Sequence, residues 1–339
     1  MSLISRSRLV ITILTIGLIA GQSILYWIKE KHEADAAYWK SVRKRIKEGG
    51  YSNTTCPYNP ASLAWEPLLN KNINLTIEEI EKVHNNVRSG GWTPPCKPRH
   101  DLILIVPATR REEHLRVFLW HIHAFLQQQL IQYVIYVVTQ VEPTNIFNKA
   151  MTMNAAFIEA TKMYPYSCVI FHDVDLIPES NNWPYTCETP VAHLAAYVDR
   201  LHYSLPYKNA FGGVVAFQKD EFKKVNGYSN SFWGWGGEDD DLGGRVRKHS
   251  LDIVRPTRTQ LSYTMLRHAR DPSNKVNIGS YHVIRDPDDG LKTIKYTKLD
   301  LKLHRLYTQL LVSFESPKVN LTFESLEQSN HMLEKKEPK

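Results

Sequence analysis

Residues 9–28 form an almost unbroken apolar run, interrupted only by Thr12, Thr15, Gln22 and Ser23 and carrying no charge. About 20 such residues span a bilayer as a helix. The apolar core of a cleaved signal peptide is shorter, roughly 7 to 15 residues, so the pattern predicts an uncleaved anchor. Residues 29–50 are charged and helix-prone, and 51–60 and 90–98 are rich in Asn, Pro and Gly, which reads as stem and linker. From Asp101 short apolar runs alternate with longer amphipathic ones. Leu102-Ile-Leu-Ile-Val106 reads as a buried strand closed by Pro107. Leu115, Phe118, Leu119, Ile122 and Leu126 within 112–129 have helical spacing. A second strand follows at 133–138, a helix at 149–163 ended by Pro165, and a third strand at 168–171 that runs into His172-Asp-Val-Asp175. Strand and helix in alternation predict an α/β fold with a parallel sheet. The carboxylates then sit at the carboxyl end of a strand, where open α/β sheets bind ligands. This divides the chain into a cytoplasmic tail (1–8), a transmembrane signal anchor (9–28), a stem and N-terminal lumenal region (29–98), a catalytic domain (99–316) and a charged C-terminal tail (317–339).

With 42% hydrophobic and 23% charged residues, the 339-residue chain has the composition of a globular protein. Its net charge of +7 raises the question of nucleic acid. The excess lies in Lys40, Arg43, Lys44, Arg45, Lys47 and in Lys335, Lys336 and Lys339, a solvated stem and tail. No zinc-finger spacing or aromatic RNA-binding signature accompanies it, so nucleic acid is not an expected partner. Arg6 and Arg8 precede the anchor and Lys29 and Lys31 follow it, so charge does not choose the orientation. The sequons at Asn53, Asn74 and Asn320 can be glycosylated only in the lumen. Cys56, Cys96, Cys168 and Cys187 form no C-x-x-C pair and fit two disulfides in an oxidising compartment, with three connectivities open.

Three stretches carry chemistry. Asp173 and Asp175 alternate, which in extended chain puts both on one face to share a hard divalent cation. Phe232-Trp-Gly-Trp-Gly-Gly-Glu-Asp-Asp-Asp241 combines sugar-stacking indoles, hinge glycines and carboxylates able to take a proton from a hydroxyl. Its acids also open a helix running to about Lys248, complementing the helix dipole. Met265-Leu-Arg-His268 places a thioether and an imidazole one turn apart.

Together these segments resemble the β1,4-galactosyltransferase family, which includes β1,4-N-acetylgalactosaminyltransferases. The resemblance extends over Ile146-Phe-Asn-Lys-Ala150, Asp173-Val-Asp-Leu-Ile-Pro178, Ser204-Leu-Pro-Tyr207, Phe211-Gly-Gly-Val214, the Trp233 to Asp241 motif, Met265-x-x-His268 and Leu306-Tyr-Thr-Gln309. It implies a GT-A (Rossmann-like) fold and a Mn2+ ion on Asp175, Met265 and His268. It implies Asp239 as catalytic base, with Glu238 binding sugar hydroxyls beside it. Pro107, Arg111, Phe147, Lys149, Asp173, Val174, Ala210 and Trp235 would contact the UDP-sugar, and Gly236, Gly237, Glu238, Asp239 and Asp240 the acceptor, a terminal N-acetylglucosamine. It selects the disulfides Cys56 with Cys96 and Cys168 with Cys187, and a lumenal catalytic domain at the Golgi membrane.

The departures bear on substrate. Pro107-Ala108-Thr109 stands where the family has Pro-Phe-Arg or Pro-Tyr-Arg, and Lys149 where it has Arg. The ammonium keeps the charge but not the bidentate fork. Ala210 stands where galactose-specific members carry Tyr, so the pocket should admit a 2-acetamido group and favour UDP-N-acetylgalactosamine (UDP-GalNAc) over UDP-galactose. The segment between His268 and Asp289 is shorter than the family's acceptor loop. The alternatives are a strict UDP-galactose enzyme and a catalytically weakened Golgi glycan-binding protein.

Overall fold

The computed structural model describes residues 52–57, 74–141, 146–268, 274 and 288–315. The expected anchor, both tails and Asn320 lie outside them. Among the described residues no helix is long and apolar enough to cross a membrane.

The described chain begins with β1 (Ser52–Thr55), α1 (Ile77–Val83), β2 (Gly91–Trp92) and β3 (Cys96–Lys97). The alternating region follows as β4 (Asp101–Pro107), α2 (Glu112–Gln128), β5 (Gln132–Gln140), α3 (Lys149–Met163) and β6 (Cys168–His172). Next come β7 (Leu176–Pro178), β8 (Val191–His193), β9 (Val214–Gln218), α4 (Lys219–Lys224), α5 (Glu238–Lys248), β10 (Ile253–Val254), β11 (Tyr263–Met265), β12 (Thr297–Leu303) and β13 (Thr308–Ser313). Helix α3 has the bounds its periodicity predicts, and strands β4 to β6 extend past their apolar runs by one or two residues.

Among the described residues the main sheet has the order β10-β8-β9-β6-β4-β5-β13-β12, with β2 also paired to β5. It is mixed, which corrects the expectation of a parallel sheet. β4, β5, β6 and β13 run parallel, whereas β9 lies antiparallel to both β6 and β8. Parallel neighbours need a crossover, usually helical. The stretch between β8 and β9 contains only one 3-10 turn, Asp199–Leu201, so β9 returns directly beside β8.

Alternation along β4 sends Leu102, Leu104 and Val106 to one face, where they meet Phe118, Ile122 and Phe125 of α2 and Ile80 of α1. Ile103 and Ile105 point the other way, into a layer with Phe157 of α3, Phe171, Phe222 of α4 and Leu242 of α5. Each such side chain contributes about 1.5–3 kcal/mol when taken from water.

Residues 74–98 are part of this body. Thr76 caps α1 with a reciprocal capping box to Glu79, and Ile80 and Val87 are fully buried. The expected linker at 90–98 instead pairs with the sheet through β2. Gly90 has φ +75° and donates to Arg305 O at 2.9 Å, while Ile135 N donates to its carbonyl at 3.0 Å. A Cβ there would lie 2.7 Å from Tyr307 Cα, so the composition that suggested a flexible link is what allows this close approach. Cys56 is joined to Cys96 and Cys168 to Cys187.

Ile80→Ala should cost about 3 kcal/mol, the range for truncating a buried isoleucine. Equilibrium urea unfolding measures it. A loss under about 0.5 kcal/mol would mean that α1 is only tethered to the sheet.

Candidate active site

Three chain ends meet beyond the carboxyl edge of β6. The first is the start of α3. Asn148 is fully buried and caps this helix, its Oδ1 accepting from Met151 N at 2.8 Å. Its Nδ2 donates to Asn230 O at 2.9 Å and its backbone N to Gln140 Oε1 at 2.8 Å. Thr109 Oγ1 in turn accepts from Gln140 N at 2.9 Å. With Asn148 held on every side, Lys149 is delivered in the first helical turn at a fixed point.

Lys149 Nζ lies 2.9 Å from Asp173 Oδ1 at the end of β6, 3.3 Å from Asp239 Oδ2 and 3.7 Å from Glu238 Oε1 at the start of α5. Burial alone would lower the lysine's proton affinity, but Asp173, Asp239 and Glu238 together hold it well above the ordinary value. Burial pushes the Asp239 carboxyl up to about 8; Glu238 and Asp173 add to this and Lys149 opposes it. Glu238 is likewise raised by burial, and its Oε2 has no hydrogen-bond partner among the described residues. Gly237, at φ +97°, precedes the helix, so the Glu238 and Asp239 carboxylates stand at its positive pole. A Cβ on Gly212 would lie 2.7 Å from Asp239 Oδ2, so a side chain there would displace the carboxylate from its present position.

The expectation that Asp173 and Asp175 share one face is corrected. The strand ends at His172, and Leu176 N donates to Asp173 O at 3.2 Å, turning the chain. Asp173 therefore faces Lys149, while Asp175 Oδ2 lies 3.0 Å from His268 Nε2. Val174 between them is buried. β7 pairs antiparallel with β11, with Met265 opposite Leu176, and Leu266 N donates to Asp175 O at 2.8 Å. That pairing sets the backbone of Met265 across from Leu176, one residue from Asp175, and leads the chain on to His268. Among the described residues no three His, Cys, Asp or Glu side chains converge as metal ligands. The Asp175 carboxylate and His268 imidazole are donor types that suit a divalent first-row ion, and a thioether is a softer donor type.

A buried relay holds this arrangement from behind. His172 donates from Nδ1 to Asp173 O at 2.8 Å, so its Nε2 accepts from Tyr185 OH at 2.9 Å, which lies 2.6 Å from Tyr263 OH on β11. Burial lowers the His172 imidazole to about 4, keeping it neutral.

The tryptophan segment forms the rim. Gly234 N donates to Phe147 O at 2.7 Å, Trp233 packs on the α3 side of the sheet and Trp235 is 42% exposed. Asn274 donates to the carbonyls of Trp233 and Trp235 at 2.7 and 3.1 Å. Gly236 has φ +105°, and Asp240 accepts two contacts from Tyr207 OH at 2.8 and 2.9 Å. Ala210 is buried one residue before Phe211. Pro107 ends β4, where it pairs with Val138 of β5, and Arg111 sits at the start of α2. Asn74 is exposed just before the α1 cap, and the Cys168–Cys187 link lies at the opposite end of β6 from the site. Sequence reading missed Asn148, Gln140 and Gly212. An Asn directly before a helix start and the first glycine of Gly212-Gly213 are the signals that could have exposed two of them.

Two family models match the chain: the N-terminal region of glycosyl transferase group 7 over residues 56–188, and the N-terminal domain of galactosyltransferase over residues 192–269. Human beta-1,4-galactosyltransferase 1 is 38% identical over 269 residues, 77% of this chain and 67% of that protein. Mouse beta-1,4-galactosyltransferase 4 is 38% identical over 265 residues, 76% and 77% respectively. The catalytic domain of Drosophila beta-1,4-galactosyltransferase 7 in complex with xylobiose superposes with a TM-score of 0.56 at 30% identity, covering 64% of this chain and 95% of that one. A mutant of the same enzyme, in complex with manganese, UDP-Gal and xylobiose, gives a TM-score of 0.56 at 29% identity over the same shares.

Replacing Lys149 by Met leaves three carboxylates facing one another and should destabilise the protein by about 3 kcal/mol at pH 8. The raised carboxyls bind protons more tightly folded than unfolded, so their contribution falls as pH rises from the ordinary carboxylate range through the Asp239 value of about 8. Lys149 stays charged across that window, so its stabilisation is lost only at higher pH. The variant's deficit should therefore be larger at pH 8 than at pH 5. Thermal melts at both values check it; an equal deficit would contradict the shared-cation geometry.

Proposed function

The chain belongs to the β1,4-galactosyltransferase family and is a hexosyltransferase, and from that premise we propose that it transfers N-acetylgalactosamine, or galactose, from the UDP-sugar in β1,4 linkage to a terminal N-acetylglucosamine. The observation that carries the reading is the half-buried Asp239 carboxylate, held against Gly212 and Lys149 directly after the Trp233–Gly237 rim. Burial raises its proton affinity towards that of a competent general base.

The acceptor hydroxyl oxygen attacks the anomeric carbon and the bond from that carbon to the diphosphate oxygen breaks in line, inverting the configuration. The hydroxyl proton passes to Asp239, and UDP departs with the electron pair of the broken bond. Glu238 positions the acceptor: its unpartnered Oε2 is free to take a hydrogen bond from a second sugar hydroxyl. Asp175, Met265 and His268 would hold Mn2+, which when bound neutralises the diphosphate leaving group. Lys149 supplies a further positive charge at the same edge of the sheet, and Trp235 offers an exposed indole face to the sugar. Ala210, small and buried beside this edge, leaves room for the 2-acetamido group. The uncharged run at 9–28, the disulfides and the exposed Asn74 sequon support a lumenal catalytic domain anchored in the Golgi membrane.

Asp239→Asn should lower kcat by at least about 100-fold while binding of UDP and Mn2+, followed by calorimetry, stays within about twofold. In the native enzyme kcat/KM should climb with pH through the ionisation near 8, because only the deprotonated carboxylate accepts the proton. Full activity in the Asn variant would remove the base assignment. For the donor, Ala210→Tyr should turn preference from UDP-GalNAc towards UDP-galactose by about tenfold, read from kcat/KM with each donor. An unchanged ratio would refute the pocket reading.

A further inference from the structure

Behind the Ala210–Gly212 backbone lies a polar pair that no step of the transfer uses. Ile253 and Val254 of β10 pair in parallel with Val191 and Ala192 of β8, which carries the next residue, Arg255, alongside His193. Arg255 Nε donates to His193 Nδ1 at 3.1 Å and Arg255 Nη2 donates to Ala210 O at 3.1 Å. A guanidinium has no acceptor, so His193 Nδ1 accepts and the ring proton is on Nε2. That nitrogen donates to Gly212 O at 2.9 Å. His193 is almost completely buried, and its ring lies 5.5 Å from that of Phe211. Burial, with the neighbouring Arg255 charge, lowers the imidazole to about 4, so the single-proton form required by this chain of donors persists at neutral pH.

The consequence is geometric. Two carbonyls flanking Phe211 are held from the β10 side of the sheet, one by Arg255 directly and one through the histidine tautomer that Arg255 imposes. On the other side Gly212 abuts Asp239, and Gly243 of α5 approaches Phe211 so closely that a Cβ there would lie 3.0 Å from Phe211 Cβ. The segment is clamped between β10 and α5, with Ala210 at its start. A wall that discriminates sugars by one substituent has to keep its position to a fraction of an ångström, because interiors are close-packed and respond to single methyl groups.

We infer that Arg255 and His193 are positioning residues for donor-sugar selectivity, fixing the Ala210–Gly212 wall through a tautomer-locked hydrogen-bond chain. This rests on the reading of Ala210 as the wall of the sugar pocket. Neither residue touches the donor; each acts through backbone.

The test compares wild-type protein with Arg255→Met, Arg255→Lys and His193→Gln. Binding of UDP-GalNAc, UDP-galactose and UDP is measured by calorimetry with Mn2+, alongside kcat/KM for the two donors. In Arg255→Met the ratio of UDP-GalNAc to UDP-galactose affinity should fall about tenfold, with UDP affinity within about twofold of wild type. Arg255→Lys keeps the charge and can reach one acceptor but not both, so its ratio should lie between the two. His193→Gln retains one N–H to offer Gly212 and should fall less than Arg255→Met. A merely structural role would weaken UDP and both UDP-sugars together. Equal loss for all three ligands, or an unchanged ratio in the Arg255 and His193 variants, overturns the proposal. If Arg255→Met does not fold, Arg255→Lys carries the same criterion. The Ala210→Tyr result separates the two levels: a shifted ratio there with unmoved ratios in the Arg255 and His193 variants sinks the positioning role alone. An unshifted ratio in Ala210→Tyr removes the pocket reading and this inference with it.

Discussion

The ammonium of Lys149 is the point on which the site depends. It stands in the first turn of α3, where the helix dipole disfavours a cation, and is enclosed by protein. Asp173, Glu238 and Asp239 surround it, and the last two stand at the positive pole of α5. Each helix thus supplies what the other lacks. Once ionised, the three carboxylates outnumber the cation and the residual field is negative, with Asp175 close by and 3.0 Å from His268 Nε2. A cavity edge of this sign attracts divalent cations and holds a proton acceptor ready. Neither property would survive if the strand and the two helix starts were free to separate, because the carboxylates repel one another.

What keeps them together is the sheet. The β4–β6 pairing and the two apolar layers on its faces fix where β6 ends, and the Asn148 cap fixes where α3 begins. These elements were legible along the chain because their information is local. Apolar runs mark β4 to β6, helical spacing marks α2, and Pro165 marks the end of α3. The short strands beyond β6 were not legible, since β8, β10 and β11 are two or three residues long and owe their conformation to pairing partners rather than to their own pattern. The turn after His172 escaped for a similar reason. Alternation predicts one face only while the strand lasts, and Asp173 is already bound through its backbone N to Gly213 O at 2.9 Å.

The site was legible in its reactive groups and opaque in their supports. Tryptophans, glycines and clustered acids in one short stretch announce chemistry, and Lys149 sits beside a recognisable motif. The groups that aim them are paired across long sequence distances: Asn148 with Asn230 are 82 residues apart, and His193 with Arg255 are 62 apart. An isolated Asn, His or Arg carries no sign of such a partner until the fold has brought it near. Asp289 illustrates the point. Its carboxylate accepts from Ser229, Asn230 and Ser231, and its carbonyl from Arg245 at 2.6 Å, securing the turn that precedes the tryptophan segment.

In the role proposed for Asp239, function and stability pull against each other. Its carboxyl holds a proton more tightly in the folded chain than in the unfolded one, so ionising it at pH 8 weakens the fold, yet only the ionised form can accept a proton from an acceptor hydroxyl. The same burial that sets its basicity therefore has to be offset elsewhere, and the offset cannot come from more cations without quenching the base. Apolar packing is the remaining source: fully buried Phe118, Phe125, Phe217 and Phe222 lie on the two layers, and their contribution does not change with pH. With Asp239 in its proposed role, the N-terminal segment around Ile80 and Val87 supports the site in an energetic sense. It adds pH-independent stability to a sheet whose working edge is held under electrostatic strain.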